Sequence, residues 1–281
     1  MNQIVRCTCT EASRKRKHRE SEGIAELAGT DIETLRARFE RLYGRANHHH
    51  CIYPDPLHFV HRYEAKQDRE LAGFIASSLA FGRISQINKT LQSLFRRIGR
   101  PTHYLKSRRL SSMRNDFVDF QHRFTKGEDL VVLLVALKRT IQTYGSLNSC
   151  FERGVESADV TFFPALAAFV GRLKEFMEDR PTFLLPDPGK GSALKRLNLF
   201  LRWMIRHDRV DPGVWDGLPK EKLIIPLDTH MYRACLNVGF TQRRQADLRT
   251  ALEVTECFRR INPEDPVKYD FALTRMGMGL N

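Results

Sequence analysis

The chain has 281 residues, 42% hydrophobic and 28% charged, the balance of a soluble globular protein long enough to bury a core unaided. Lysine and arginine number 46 against 33 acids, a formal net charge of +13, and such a surplus points to a polyanionic partner, most often nucleic acid. No apolar run reaches the ~18 residues that cross a bilayer, the first residues lack the apolar centre of a secretory signal, and the cysteines at 7, 9, 51, 150, 235 and 257 form no Cys-x-x-Cys pair. Those features exclude a membrane protein and a zinc ribbon or iron–sulfur centre of ordinary spacing, and they fit reduced thiols in the cytoplasm.

Residues 1–29 contain the charge run "SRKRKHRESE" (13–22) without a hydrophobic period, and read as a basic arm apart from the fold. Such an arm serves to hold phosphates, to carry a nuclear localisation signal in a eukaryote, or has no role. Residues 30–281 read as one helical domain. "TDIETLRARFERLYG" opens with Thr30 and Glu33 at capping-box spacing, and Leu35, Phe39 and Leu42 follow at helical intervals. "HHHC" (48–51) places four metal-capable side chains in a row, but consecutive loop residues seldom converge on one ion, so a polar loop is expected and no metal. "DRELAGFIASSLAFG" (68–82) is an apolar helix rich in small residues, expected at the centre of the core. "ISQINKTLQSLFRRIG", "GEDLVVLLVALKRTIQTYG", "DVTFFPALAAFVGRLKEFM", "SALKRLNLFLRWMIR", "DTHMYRACLNV", "QADLRTALEVTECFRRI" and "DPVKYDFALTRMG" continue the helical pattern. Strand-like alternation is nowhere sustained. The expected fold is all-α, about ten helices with short loops.

Two stretches carry candidate chemistry. In "LLPDPGKGSALKRLNLFLRWMIR" the turn residues Pro186, Pro188, Gly189 and Gly191 precede Ser192, a natural N-cap. A Gly-rich turn feeding a helix start leaves N–H groups for a phosphate, with Lys190 beside it. The helix that follows is apolar nearly all round, so it is expected to be buried. Lys195 lies in its first turn, with Asn198 and Arg202 on the same face and Arg196 adjacent. The positive end of the helix dipole, the like charge and burial together favour a free, nucleophilic amine. The other use of such a lysine is to reach solvent or hold a phosphate. In "LIIPLDTHMYRACLNVGF" (223–240) Asp228 stands where an apolar segment turns into a helix. It reads as an N-cap or as a carboxylate held toward a cationic transition state. An amine and a carboxylate are the pair that displaces a base from a sugar.

"IIPLDTHMYRACLNVGF" resembles the aspartate segment of the helix-hairpin-helix DNA glycosylases, the HhH-GPD superfamily. "LAFGRISQINK" (79–89) is similar to the segment that in this superfamily fills the gap left by a flipped base, which implies Phe81 as the wedge with Arg83 beside it. "DPVKYDFALTRMG" looks like the closing helix that lines the base pocket, where Asp270 or Phe271 reads the base. From about residue 30 to the end the chain resembles a mainly bacterial family of unknown function within the superfamily. "LPDPGKG" departs from the usual LPGVG hairpin. The distance from Lys195 to Asp228 is similar to that in the archaeal 8-oxoguanine glycosylases, which makes Lys195 the expected nucleophile and Lys190 the alternative.

The resemblance implies a two-lobed helical fold with a cleft, and a base-excision glycosylase, with or without lyase activity, removing a damaged base such as an oxidised purine. Asp228 and Lys195 are its catalytic residues. Phe81, Arg83, Gly189, Lys190, Gly191, Ser192, Arg202, His230, Asp270 and Phe271 are its DNA- and base-binding residues. The implied partner is double-stranded DNA with a flipped base, bound by a monomer without cofactor, at the nucleoid or in a nucleus. Two other readings compete: a non-catalytic nucleic-acid binder that keeps the fold, and a metal hydrolase using Asp228, His230 and the His48–His50 loop.

Overall fold

A carboxylate starts the first helix. Asp31 Oδ1 accepts from the N–H groups of Glu33 and Thr34, both at 3.0 Å, and α1 runs Ile32–Ala46. The structure is a computed structural model that describes residues 31–177, 180 and 182–280; the basic arm and Thr30 lie outside the described residues. Among the described residues eleven further α-helices follow: α2 (Lys66–Ser78), α3 (Ile84–Ile98), α4 (Pro101–Ser107), α5 (Leu110–Asp116), α6 (Gly127–Tyr144), α7 (Leu147–Glu152), α8 (Phe163–Glu175), α9 (Lys195–Ile205), α10 (Thr229–Val238), α11 (Leu248–Ile261) and α12 (Asp270–Gly277). The all-α expectation holds. The count exceeds ten because α4, α5 and α7 span only two turns or less, too short to show a period. Between α5 and α6 sits a two-residue antiparallel pair, β1 (Gln121–His122) with β2 (Thr125–Lys126), joined through Arg123 and Phe124.

The helices pack in two groups. α1, α10, α11 and α12 pack on one another, while α2 gathers α4, the turn Pro56–Arg62 and, against its other side, α9. From Leu71 to Ala80 every residue of the α2 segment is buried. Its small residues allow α9 to come close: a Cβ placed on Gly73 would stand 2.8 Å from Met204 Cε. Phe74 meets Phe200 edge-on at 5.0 Å. The buried acids of α2 cap neighbouring helices. Asp68 accepts from Thr102 N–H at 2.8 Å in the first turn of α4. Glu70 accepts from Leu147 and Asn148 N–H at 3.0 and 2.6 Å at the start of α7, and from Trp215 Nε1 at 2.7 Å. These bonds meet the orphan donors that every helix start leaves.

α9 is enclosed from Arg196 to Ile205, as its sequence predicts, and Arg202 and the C-cap Arg206 meet counter-charges at its C-terminal end. Arg202 pairs with Asp211 at 3.0 Å and with Asp270. Arg206, one turn on, pairs with Asp208 and Asp265, each at 3.0 Å, and with Asp211. Tyr43 of α1 donates to Asp208 Oδ2 at 3.0 Å. Four aspartates thus share two guanidiniums inside the protein. Burial and the neighbouring carboxylates push the Asp270 carboxyl up to about 6, against the pull of Arg202.

Removing one partner of such a pair strands the other charge, so Asp211→Ala is expected to lower unfolding free energy by about 3–5 kcal/mol in urea titrations. Asp270 gives a pH signature. Its folded pKa lies above the ordinary 3.8, so the folded state holds the proton more tightly. That stabilisation is complete below about pH 4 and is lost as pH rises through about 6. Between those limits wild type should lose about 3 kcal/mol relative to Asp270→Asn; a constant difference would contradict the raised pKa.

Candidate active site

The approach to Asp228 is extended but unpaired. Leu223, Ile224, Ile225 and Leu227 are buried in no strand, and Ile225 N–H donates to Thr255 Oγ1 of α11 at 3.0 Å. Asp228 is extended as well, and it is the N-cap of α10: Oδ1 accepts from Met231 N–H at 2.8 Å. Its other oxygen, Oδ2, lies 3.7 Å from Lys195 Nζ. The Lys195 side chain is 35% exposed and that of Asp228 15%, so the pair is reachable from solvent without being washed by it.

Lys195 reaches this place through an unusual helix start. Leu194 occupies the left-handed region at φ 50°, which costs a branched residue roughly 1–2 kcal/mol. Its carbonyl accepts the first α9 bond, from Asn198 N–H at 3.0 Å, and Asn198 Nδ2 turns back to Ala193 O at 3.1 Å. Ser192 therefore does not cap α9. It is exposed and forms a backbone bridge to Asp247 at the start of α11.

The pair opens on a cleft of about 1550 Å³ between the two helix groups. Phe81, Arg83 and Met177 line one wall, Asp228, His230 and Met278 the other. Arg83, Lys174, Arg180, Lys190, Lys195 and Arg196 are set against only Asp187 and Asp228 in its lining, so the cavity suits an anionic ligand. His230 is wedged in place: a Cβ on Gly277, at the end of α12, would stand 3.1 Å from His230 Cβ.

Of the residues named from sequence, the cleft gathers Phe81, Arg83, Lys190, Ser192, Lys195, Asp228 and His230. Lys195, not Lys190, makes the ion pair with Asp228. The turn Pro188–Lys190 differs from the expected phosphate cradle. Gly189 N–H donates to Asp187 Oδ1 at 2.9 Å, Lys190 N–H to Asp187 O at 3.2 Å and Gly191 N–H to Pro188 O at 3.4 Å. Those donors are already engaged, which leaves Gly189 and Gly191 a turn-forming role. Arg202, Asp270 and Phe271 are core residues rather than contacts for DNA or a base. Arg202 and Asp270 neutralise each other, and Phe271 is buried with Arg202 and Arg275 over its ring at 5.8 and 5.6 Å. The histidine loop contributes nothing to the cleft's lining. His48 and His50 stack on each other at 5.4 Å, and His49 meets His61 at 5.3 Å. Among the described residues no group of three or more His, Cys, Asp or Glu is placed to hold a metal, no helix is long and apolar enough to cross a membrane, and the four cysteines are free thiols.

Sequence reading missed Arg196 and Phe183. Arg196 is buried with no carboxylate in ion-pair range among the described residues. It donates to the carbonyls of Ser78 and Phe183, both at 2.6 Å, and of Leu184 at 3.5 Å, and burial lowers its guanidinium pKa to about 10. For Arg196 the only signal was a charged residue in a helix apolar nearly all round.

A family model described as "Protein of unknown function (DUF2400)" matches residues 55–279. No curated protein and no solved structure matches the chain.

The cap and the exposed oxygen of Asp228 separate by substitution. Asp228→Ala should cost about 1 kcal/mol of stability through the lost cap, whereas Asp228→Asn, an equally good N-cap, should melt within a degree or two of wild type. Thermal denaturation of both variants checks this.

Proposed function

The chain belongs to that family, whose description carries no activity, and we propose from the chemistry of its cleft that it is a base-excision DNA glycosylase acting through a Schiff base. The observation that carries the reading is the Lys195–Asp228 pair, 3.7 Å apart in a cleft with a cationic lining. The likeness of the "PLDTH" segment to that of the helix-hairpin-helix DNA glycosylases supports it, as does the formal charge of +13. Of damaged bases, an oxidised purine is the class implied by the resemblance to the archaeal 8-oxoguanine glycosylases.

In this mechanism a deoxynucleotide turned out of the duplex enters the cleft. The C1′–N bond breaks, its electron pair leaves with the base, and the base takes up a proton. Asp228 Oδ2 faces the positive charge developing on the sugar. Lys195, having given its ammonium proton to the departing base, forms the new bond at C1′ through the freed amine, and its nitrogen then passes a proton to O4′ as the C1′–O4′ bond opens to give a protonated imine. Such an imine is competent for strand cleavage and is reduced by borohydride to a stable amine. Asp228 is suited to both of its tasks because Oδ1 is engaged by Met231 N–H while Oδ2 stays toward the sugar.

Borohydride trapping on lesion-bearing duplexes is the direct test. Wild type should give a covalent adduct and Lys195→Gln none. Asp228→Asn should bind the same duplex within about threefold of wild type yet release base about 10²–10³-fold more slowly. No adduct and no base release across a broad lesion panel would sink the reading; a protein that still bound duplex would then be the non-catalytic binder.

A further inference from the structure

α9 begins without the usual supports. No side chain caps it, and its N-cap position is Leu194 at φ 50° and ψ 33°. A leucine stays in that left-handed region only where its surroundings over-determine it. A helix start without a cap also leaves its first N–H groups short of partners. The turn that carries Lys195, with Nζ 3.7 Å from Asp228 Oδ2, is therefore a part of the helix that needs holding from outside.

Arg196, the second residue of α9, is placed to hold it. Its buried side chain reaches two other segments. Nη1 donates to Ser78 O at 2.6 Å and to Leu184 O at 3.5 Å, and Nη2 donates to Phe183 O at 2.6 Å. Ser78 is the last residue of α2. Its carbonyl belongs to the negative end of that helix's dipole, so it suits a cation. The guanidinium also lies 5.1 Å from the Phe81 ring centroid and 4.5 Å from that of Phe183, within cation–π range. Among the described residues no carboxylate in ion-pair range draws it elsewhere.

The other tie on the turn is local. Asn198 Nδ2 donates to Ala193 O at 3.1 Å, which joins α9 to its own approach. Arg196 instead fastens the turn to α2, which packs against α9 and is buried from Leu71 to Ala80. A fixed support on one side and a strained backbone on the other meet at the residue next to Lys195.

We propose that Arg196 is a positioning residue for the reaction: it holds the first turn of α9 against the strain at Leu194 and so keeps the Lys195 amine facing Asp228. What the amine does rests on the glycosylase reading; what holds it rests on these contacts.

Two measurements test this. Amide exchange reads the tether in the free protein. The single ammonium of Arg196→Lys cannot serve all three carbonyls. In that variant the Asn198 amide, which donates to Leu194 O, should exchange at least about tenfold faster than in wild type, with the Trp203 amide unchanged. The rate of borohydride trapping on a lesion-bearing duplex reads the amine. Arg196→Met keeps much of the side chain's bulk without its donors. It should trap about 10²-fold more slowly, the cost of a misplacement of about 1 Å, while binding the same duplex within about threefold of wild type. Arg196→Lys should fall between the two. Wild-type exchange at Asn198 in Arg196→Lys, or equal acceleration at Asn198 and Trp203, overturns the tether. A loss of duplex affinity that matches the loss of trapping overturns the positioning role in favour of a phosphate contact. A wild-type adduct that forms at full rate in Arg196→Met overturns this inference alone; no adduct with wild type overturns the glycosylase reading, and this role with it.

Discussion

A buried arginine left without a counter-charge is costly, and the C-terminal end of α9 presents two that are paired, Arg202 and its C-cap Arg206, one turn apart. Arg202 and Arg206 draw aspartates from the 208–211 loop, from residue 265 and from the start of α12, and Tyr43 brings α1 to the same cluster. Because a stranded charge in this setting is far costlier than the pair itself is stabilising, the cluster fixes how the C-terminal end of α9 sits against α12 and α1. Lys195 is at the other end of the same helix. Its position relative to Asp228 therefore depends on contacts made three turns away. α12 starts at Asp270, within the cluster, and ends at Gly277, against His230 in the cleft wall, so the network steadies both sides of the site.

Much of the fold was legible because the long helices are strongly periodic, and α3, α6 and α10 stop at Gly99, Gly145 and Gly239. The α2 segment reads as central from its small apolar run, and α9 from its all-round apolarity, and both are buried as that implies. The short helices were not legible. α4 and α5 offer two turns each, and α7 is shorter still, capped locally by Ser146 and also by Glu70, more than seventy residues earlier in the chain, which accepts from its first N–H groups. A long-range cap leaves no local mark. The β1–β2 pair is two residues long, below any alternation that sequence displays.

The site divides in the same way. Asp228 was legible as a cap because the N-cap rule is local, and Lys195 because its helix begins there. Their proximity was not, since it depends on Leu194 turning left-handed, a conformation no pattern forecasts for leucine. Arg202 and Asp270 were misassigned for one reason: in sequence, an arginine and an aspartate give no sign that they will face each other. None of the charge surplus that pointed to a polyanion comes from this cluster, which sets four aspartates against two arginines, and the cationic lining of the cleft is made by other residues. Phe183, in the irregular segment before the turn, had no period to betray it.

The two oxygens of Asp228 sit on one carbon. Whatever holds Oδ1 to the first turn of α10 also sets where Oδ2 points, so the reach of the charge is gauged by the helix and not by side-chain rotamers alone. Fraying of that turn, the cheapest local opening a helix has, would release both oxygens together and swing the carboxylate away from Lys195. The readiness of the site is then tied to a local unfolding equilibrium, and amide exchange at Met231 reports on it in the resting protein.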